Sequence, residues 1–243
     1  MRRNLFIFGT LTAGILFIFS HSAIPQSTQG EGIPAISPIY QPPLLRGAPG
    51  GRVGGGTRGI GDELVTLFAL APNHVGLTSQ EQPVLYWYLS KPVDRPIELT
   101  IIIEKDTHPL LEKPIPLPIE PGIHAIRLRD LNLHLRKATP YRWFVALIPD
   151  PERRTKDIVA GGMIERIDLP EAVRVKLSQA SPLNIPHIYA ESGIWYDTIM
   201  TLSDLIEANP GDMNLRKERA ALIEQVGLSK VARYELEQAG LTK

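Results

Sequence analysis

Between residues 77 and 168, apolar and β-branched positions come in short runs separated by turn residues, a pattern that predicts antiparallel strands. The runs 83–89, 97–103, 123–128, 141–148 and 158–167 predict five of them. The run 115–119 is broken by Pro116 and Pro118 and predicts an edge strand or a loop, because proline cannot donate to a ladder. Further on the pattern is helical and repeats. Gly193 and Gly227 lie 34 residues apart, and their neighbours recur with them: Tyr189 with Ile223, Thr198 with Ala232, Leu202 with Leu236 and Leu205 with Ala239. Each glycine is placed to end one helix in the left-handed conformation and turn the chain into the next. Asn209-Pro210 marks the break between two such helical hairpins.

Together these patterns predict an α+β chain. The strand region resembles an immunoglobulin or fibronectin type III antiparallel β-sandwich, with Trp87 in an early strand. Thr139-Pro140-Tyr141 leads into a later one as a tyrosine corner does. Trp87, Tyr141 and Trp143 are expected in its core. The helical region resembles a short tetratricopeptide unit, whose period is 34 residues. Pro186 stands where the second hairpin has Ala220, and Arg216 and Arg219 stand where large apolar residues are usual, so the first helix of the first hairpin is the weaker expectation. Two repeats cannot close a core alone and must lean on the rest of the chain. In this register Asn214, Lys217, Glu224 and Gln225 point into a concave face able to hold an extended peptide by polar contacts. Of Trp195 and Tyr196, one is expected between the repeats and the other against the sandwich.

At the other end, Met1-Arg2-Arg3 precedes an uncharged apolar run at 5–19, and Ser20, Ser22 and Ala23 offer a cleavage site. This predicts a secretory leader at 1–23, cut after Ser22 or Ala23, and an exported protein of the periplasm or cell envelope. Contact with a membrane is expected only through that leader if it stays uncut. Residues 24–61 are rich in Gly, Pro and Ser and predict a disordered arm. Arg46, Arg52 and Arg58 recur in it every six residues, a spacing suited to wrapping an anion or threading along another surface, with a solvated linker as the alternative. The β-sandwich is expected over 62–168 and the helical unit over 169–243.

The remaining signals narrow the chemistry by exclusion. The chain has no cysteine, which removes disulfides, thiolate metal sites and a thiol nucleophile. Its 26 basic and 26 acidic residues balance, so no global field favours nucleic acid. Gly54-x-Gly56-x-x-Gly59 matches a dinucleotide fingerprint in form only, since no predicted strand leads into it. Nucleophile elbow, zinc-protease and calcium-loop motifs are missing, and no two of the five histidines beyond the leader share a helix face. His124 and His134 are spaced to meet across strands. The reading is therefore no cofactor, no metal and no catalytic residue. Two alternatives stay open: a carbohydrate- or peptidoglycan-binding module presenting Trp143 or Tyr88 to sugar rings, and an envelope hydrolase using Asp150, Glu152 and Asp157. Arg153, Arg154 and Lys156 beside those acids argue for mutual neutralisation on a solvated loop.

The glycine-arginine run at 47–59, the strand Val84-Leu85-Tyr86-Trp87-Tyr88 and the motif Gly193-Ile194-Trp195-Tyr196-Asp197 closely resemble a cyanobacterial family, domain of unknown function 928. The resemblance spans about 46–236 and implies an exported protein; it supplies no catalytic residues. The partner expected is another envelope protein or peptide, with cell-wall polysaccharide as the alternative.

Overall fold

The computed structural model describes residues 37–43, 51–60 and 63–241. The leader at 1–23 and Arg46 lie outside the described residues. Among the described residues, ten strands follow in chain order: β1 (Val53–Gly54), β2 (Gly56–Ile60), β3 (Glu63–Ala69), β4 (Gly76–Thr78), β5 (Val84–Leu89), β6 (Ile97–Ile103), β7 (Leu111–Ile115), β8 (Gly122–Arg127), β9 (Pro140–Leu147) and β10 (Ile158–Arg166). Five α-helices come after them: α1 (Glu171–Gln179), α2 (Ile185–Glu191), α3 (Trp195–Ala208), α4 (Met213–Gln225) and α5 (Ser229–Gln238). The chain is thus mixed α+β, with strands first and helices last.

The strands form two sheets. The larger has the order β1-β10-β9-β6-β7, with β4 lying parallel beside the end of β10; every other pairing is antiparallel. The smaller has the order β2-β3-β5-β8, antiparallel throughout. Alternation along β6 buries Ile97, Leu99 and Ile101, the face it shares with Trp143, Val145 and Leu147 of β9. Strand β5 is buried at all six positions, so it is covered on both faces. Leu85, Trp87 and Leu89 take one face, while Tyr86 and Tyr88 take the other and meet the helices: Tyr88 lies 5.2 Å from the ring of Tyr234 in α5. The continuous apolar run of β5 follows from this position between two layers.

The five expected strands are present within one or two residues of their expected ends, whereas the run 115–119 gives only Ile115 to a strand, the end of the edge strand β7, and continues as a loop with one isolated bridge from Ile119 to Val93. Trp87, Tyr141 and Trp143 are buried, and the Tyr141 hydroxyl accepts a hydrogen bond from the Arg136 N–H at 3.0 Å. Strands β1 to β4 and β7 are additions to the expectation.

One expectation is overturned outright. Residues 37–43 and 51–60 fall in the stretch read as a disordered arm, yet they are built into the fold. Strand β1 pairs with β10, and the chain crosses at Gly55 to pair β2 with β3, which closes one side between the two sheets. Tyr40 is buried in the common core. Composition undervalues this segment because its order comes from partners outside it, distant ones for the strap and β1 and the neighbouring β3 for β2, not from its own apolar content.

Both hairpin glycines have positive φ, 73° at Gly193 and 74° at Gly227. Each turn is sealed by the same long bond, Ile194 N–H to Tyr189 O at 3.0 Å and Leu228 N–H to Ile223 O at 3.3 Å. The pairs α2/α3 and α4/α5 are therefore equivalent hairpins one period apart. Helix α2, the weaker expectation, is present at seven residues, and Pro186 occupies its first turn, where a missing N–H costs nothing. Arg219 and Arg216 are reconciled with their packed positions by Glu235 of α5, which is 1% exposed: Arg219 Nε donates to Glu235 Oε2 at 2.7 Å and its terminal nitrogen to Ser203 Oγ at 3.0 Å. Helix α1 buries none of its residues.

Candidate polypeptide-docking site

The Gly193–Asp197 motif fastens the first hairpin to the sheets. Trp195, fully buried, donates its indole N–H to Leu70 O at 2.9 Å. The Tyr196 hydroxyl donates to Met163 O at 3.0 Å and accepts from the Trp143 indole at 2.8 Å. Both aromatics thus reach the sheet layer, where a division of labour was expected. Room for Tyr196 is made by glycine: a Cβ on Gly76 would stand 2.6 Å from its ring, and one on Gly162 would stand 3.2 Å from its hydroxyl. Asp197 completes the attachment, accepting from Thr78 Oγ1 at 2.5 Å, from the Ser79 N–H at 3.0 Å and from the Ser79 hydroxyl. Burial raises the Asp197 carboxyl, and the Ser79 and Thr78 donors pull it back.

Against this fixed frame lies an extended strap, residues 37–43. Gln225, at the end of α4, grips its backbone with both ends of one side-chain amide: Oε1 accepts from the Tyr40 N–H and Nε2 donates to Pro38 O, each at 2.8 Å. The Gln41 N–H donates to Ala190 O in the last turn of α2 at 3.0 Å. The Tyr40 ring meets Trp195 edge-on at 5.1 Å and stacks on His74 at 5.9 Å, with 3.3 Å between its hydroxyl and His74 Nε2. Pro43 rests against Gly193; a Cβ there would meet Gln41 O at 2.7 Å, so the glycine serves the strap as well as the turn. A cleft of about 280 Å³ opens beside the strap, lined in part by Pro42, Asn73, His74, Gln225 and Gly227.

The four helical residues singled out in the sequence do share one face of α4, but they are not drawn to one point. Gln225 holds the strap. Asn214 and Lys217 sit at the opposite end of the helix, where Lys217 Nζ donates to Asn214 Oδ1 at 3.2 Å, and Glu224 accepts from the Ser229 hydroxyl at 2.7 Å. Asn214 and Glu224 are exposed and Lys217 is half-exposed, so the face beyond the strap is open. Arg52 departs from its expected role. It is no free arginine, because one terminal nitrogen donates to Ala71 O at 3.1 Å and to Val226 O at 3.0 Å, tying the strand layer to the end of α4. Burial lowers its pKa. Arg58 lies in β2, and its side chain is outside the described positions.

Tyr40, Pro38 and His74 were missed. The signal for them was slight: Tyr40 is the single aromatic residue between 24 and 61.

The residues of the two alternatives are placed otherwise than those readings need. Trp143 is fully buried and Tyr88 is 7% exposed, so neither presents a ring to a sugar. Asp150 is held below the usual carboxylate range by Arg153, whereas a general acid needs its pKa raised. Asp157 is paired to Arg154, which also reaches Glu98. His124 packs at a tilt against Trp87, and His134 lies beside Glu81 and Gln82, so the two histidines have separate neighbours. Among the described residues, no group of three or more His, Asp or Glu side chains is arranged to hold a metal ion, and no helix is long and apolar enough to cross a membrane.

The sequence matches the family described as Domain of Unknown Function (DUF928) over residues 53–236, and the chain belongs to that family. No curated protein matches it. Among solved structures it aligns with a multi-domain immunophilin from Arabidopsis thaliana at 8% identity, covering 76% of this chain and 96% of that one, with a TM-score of 0.23. A likeness that slight carries no argument about fold or function.

Proposed function

We propose that this member of the family is an exported, non-enzymatic binding or scaffolding component of the cell envelope, and that its helical hairpins dock extended polypeptide. The single observation behind this reading is the strap: the face formed by α2 and α4 already holds a peptide in extended form, through backbone hydrogen bonds from Gln225 and Ala190. Main-chain recognition of this kind is indifferent to most side chains and suits a docking surface.

In this reading the hairpins are tetratricopeptide-like, supported by their shared period and turn. The strand layers are an immunoglobulin-like or fibronectin-III-like sandwich, supported by the core position of Trp87 and the Tyr141 tie to Arg136. The leader at 1–23 sends the chain to the periplasm or envelope and is removed. The strand region up to Asp168 supports the helices without contributing chemistry.

Affinity capture from envelope extract tests this reading, with the chain from residue 24 onward as bait beside a Lys217→Glu, Glu224→Lys variant. Both positions are accessible, so the variant keeps its core. A polypeptide retained by the first bait and lost by the second supports docking on this face. Polysaccharide retained equally by both would move the function to the strand layers.

A further inference from the structure

We infer that this face reads segments of the form Pro-x-Tyr-x-x-Pro, and that residues 37–43 are a built-in self-ligand which a partner's segment displaces. The inference rests on the reading that the face docks polypeptide, and it names what is docked.

The strap states the recognition rule residue by residue. In an extended chain, alternate residues share an edge and alternate side chains share a face. Gln225 offers one acceptor and one donor side by side, which fits the N–H of one residue and the carbonyl two residues before it, here Tyr40 and Pro38. Side chains alternate accordingly. Tyr40 is 7% exposed and Pro38 is buried, whereas Ile39 is 60% exposed and Gln41 points outward, so positions 38 and 40 are read while 39 and 41 are free. Tyrosine is the residue this pocket fits, because its ring fills the angle between Trp195 and His74 while its hydroxyl reaches His74 Nε2. Prolines on either side hold the backbone extended and bring no N–H that the surface would have to satisfy. Pro43 is read by contact with the bare backbone at Gly193.

The same details make the strap replaceable. It belongs to no strand ladder, and it is held by three hydrogen bonds to its backbone, the Tyr40 ring and hydroxyl, and the packing of Pro38 and Pro43. Beyond it the exposed stripe of α4 continues through Glu224 and Lys217 to Asn214, giving a longer partner room to extend. A tethered segment acts at an effective concentration on the order of millimolar, so a free peptide with the same contacts competes poorly until the strap is weakened.

A labelled synthetic peptide with the sequence of residues 37–43 is the probe, titrated into the chain from residue 24 onward by fluorescence polarisation. The unmodified chain should bind it with Kd of about 1 mM or weaker, and the Tyr40→Ala chain at least about tenfold more tightly. Adding Gln225→Ala, or replacing the peptide's tyrosine with alanine, should remove that gain. Equal affinity for the two chains, or no binding to a folded Tyr40→Ala chain, overturns the inference. Hydrogen exchange on the unmodified chain gives a readout that needs no variant. The Tyr40 and Gln41 amides should exchange at least about tenfold faster than those of α3, through local opening. Exchange of those amides only with global unfolding overturns the inference as well. Capture of a polypeptide through Lys217 and Glu224 without peptide exchange would leave the docking reading standing and remove the self-ligand alone.

Discussion

The two hairpins share a period and a turn but hold their places by different physics. In the first, Gly193 is followed by Ile-Trp-Tyr-Asp, and three of those side chains bond into the sheets through Leu70, Met163 and Thr78-Ser79. One period later the same positions carry Leu228, Ser229, Lys230 and Val231. The second hairpin is instead organised from inside by the buried Arg219–Glu235 pair; it meets the first hairpin at Ser203 and His187, and the strand layers and strap through Tyr234, Arg52 and Gln225. Gly193 is packed beneath Gln41 and Pro43, while Gly227 has open space where a side chain would go. A repeat preserves the local geometry of a turn; what each copy is anchored to is decided by residues that the repeat does not share.

Substitutions at equivalent positions sharpen this contrast. Trp195→Ala removes a fully buried indole and should cost about 3–5 kcal/mol in denaturant unfolding. Ser229→Ala, one period on, should cost under about 0.5 kcal/mol as a surface change. Near-equal costs would break the distinction between an anchored and an unanchored hairpin.

Arg219→Ala should also be severe, about 3–5 kcal/mol, because it strands Glu235 at 1% exposure without its closest partner. The double change Arg219→Met, Glu235→Leu should recover most of that loss by replacing the pair with apolar packing. A double variant as unstable as the single one would show that the pair is irreplaceable.

Alanine at the two glycines separates turn from strap. Gly227→Ala should cost only the left-handed penalty of about 1–2 kcal/mol. Gly193→Ala should exceed it, since its Cβ collides with the backbone of Gln41, and should also release the strap, visible as faster exchange of the Tyr40 amide. Equal costs would mean that the strap does not bear on Gly193.

The smallest effect expected is one of pH at the junction of the hairpins, where His187 of α2 lies 3.7 Å from Glu218 of α4. Burial lowers the His187 pKa from its ordinary 6.5, so the unfolded chain takes up the proton first. The corresponding stability is present above that pH and is lost as pH falls below it. His187→Gln should therefore flatten the decline in melting temperature on acidification from neutral pH. A steeper decline in the variant would reverse the assigned sign.

Strands with clear turn boundaries were legible in the sequence, as was the helical period, because both are local patterns. Strand β3 was not, since Leu64-Val65-Thr66-Leu67-Phe68-Ala69 is continuously apolar with Thr66 as its single interruption, and such a run does not distinguish strand from helix. The strap and β1–β2 were hidden for another reason. The strap and β1 depend on Gln225, Ala190 and β10, more than a hundred residues away, while β2 pairs with the neighbouring β3, itself a run whose strand character was not legible; a Gly/Pro-rich composition carries no trace of either. Of the site, Gln225 was found because helical periodicity put it on an open face. Tyr40 was lost within a segment read by composition alone.

We propose that the α2/α4 face docks polypeptide. A photo-activatable cross-linking residue placed at Lys217, and irradiated in intact envelope, tests it most directly. A covalent adduct with a polypeptide is expected at Lys217 and none from the same residue placed at Lys113 on the exposed edge strand β7. Adducts at Lys113 with none at Lys217 would contradict it.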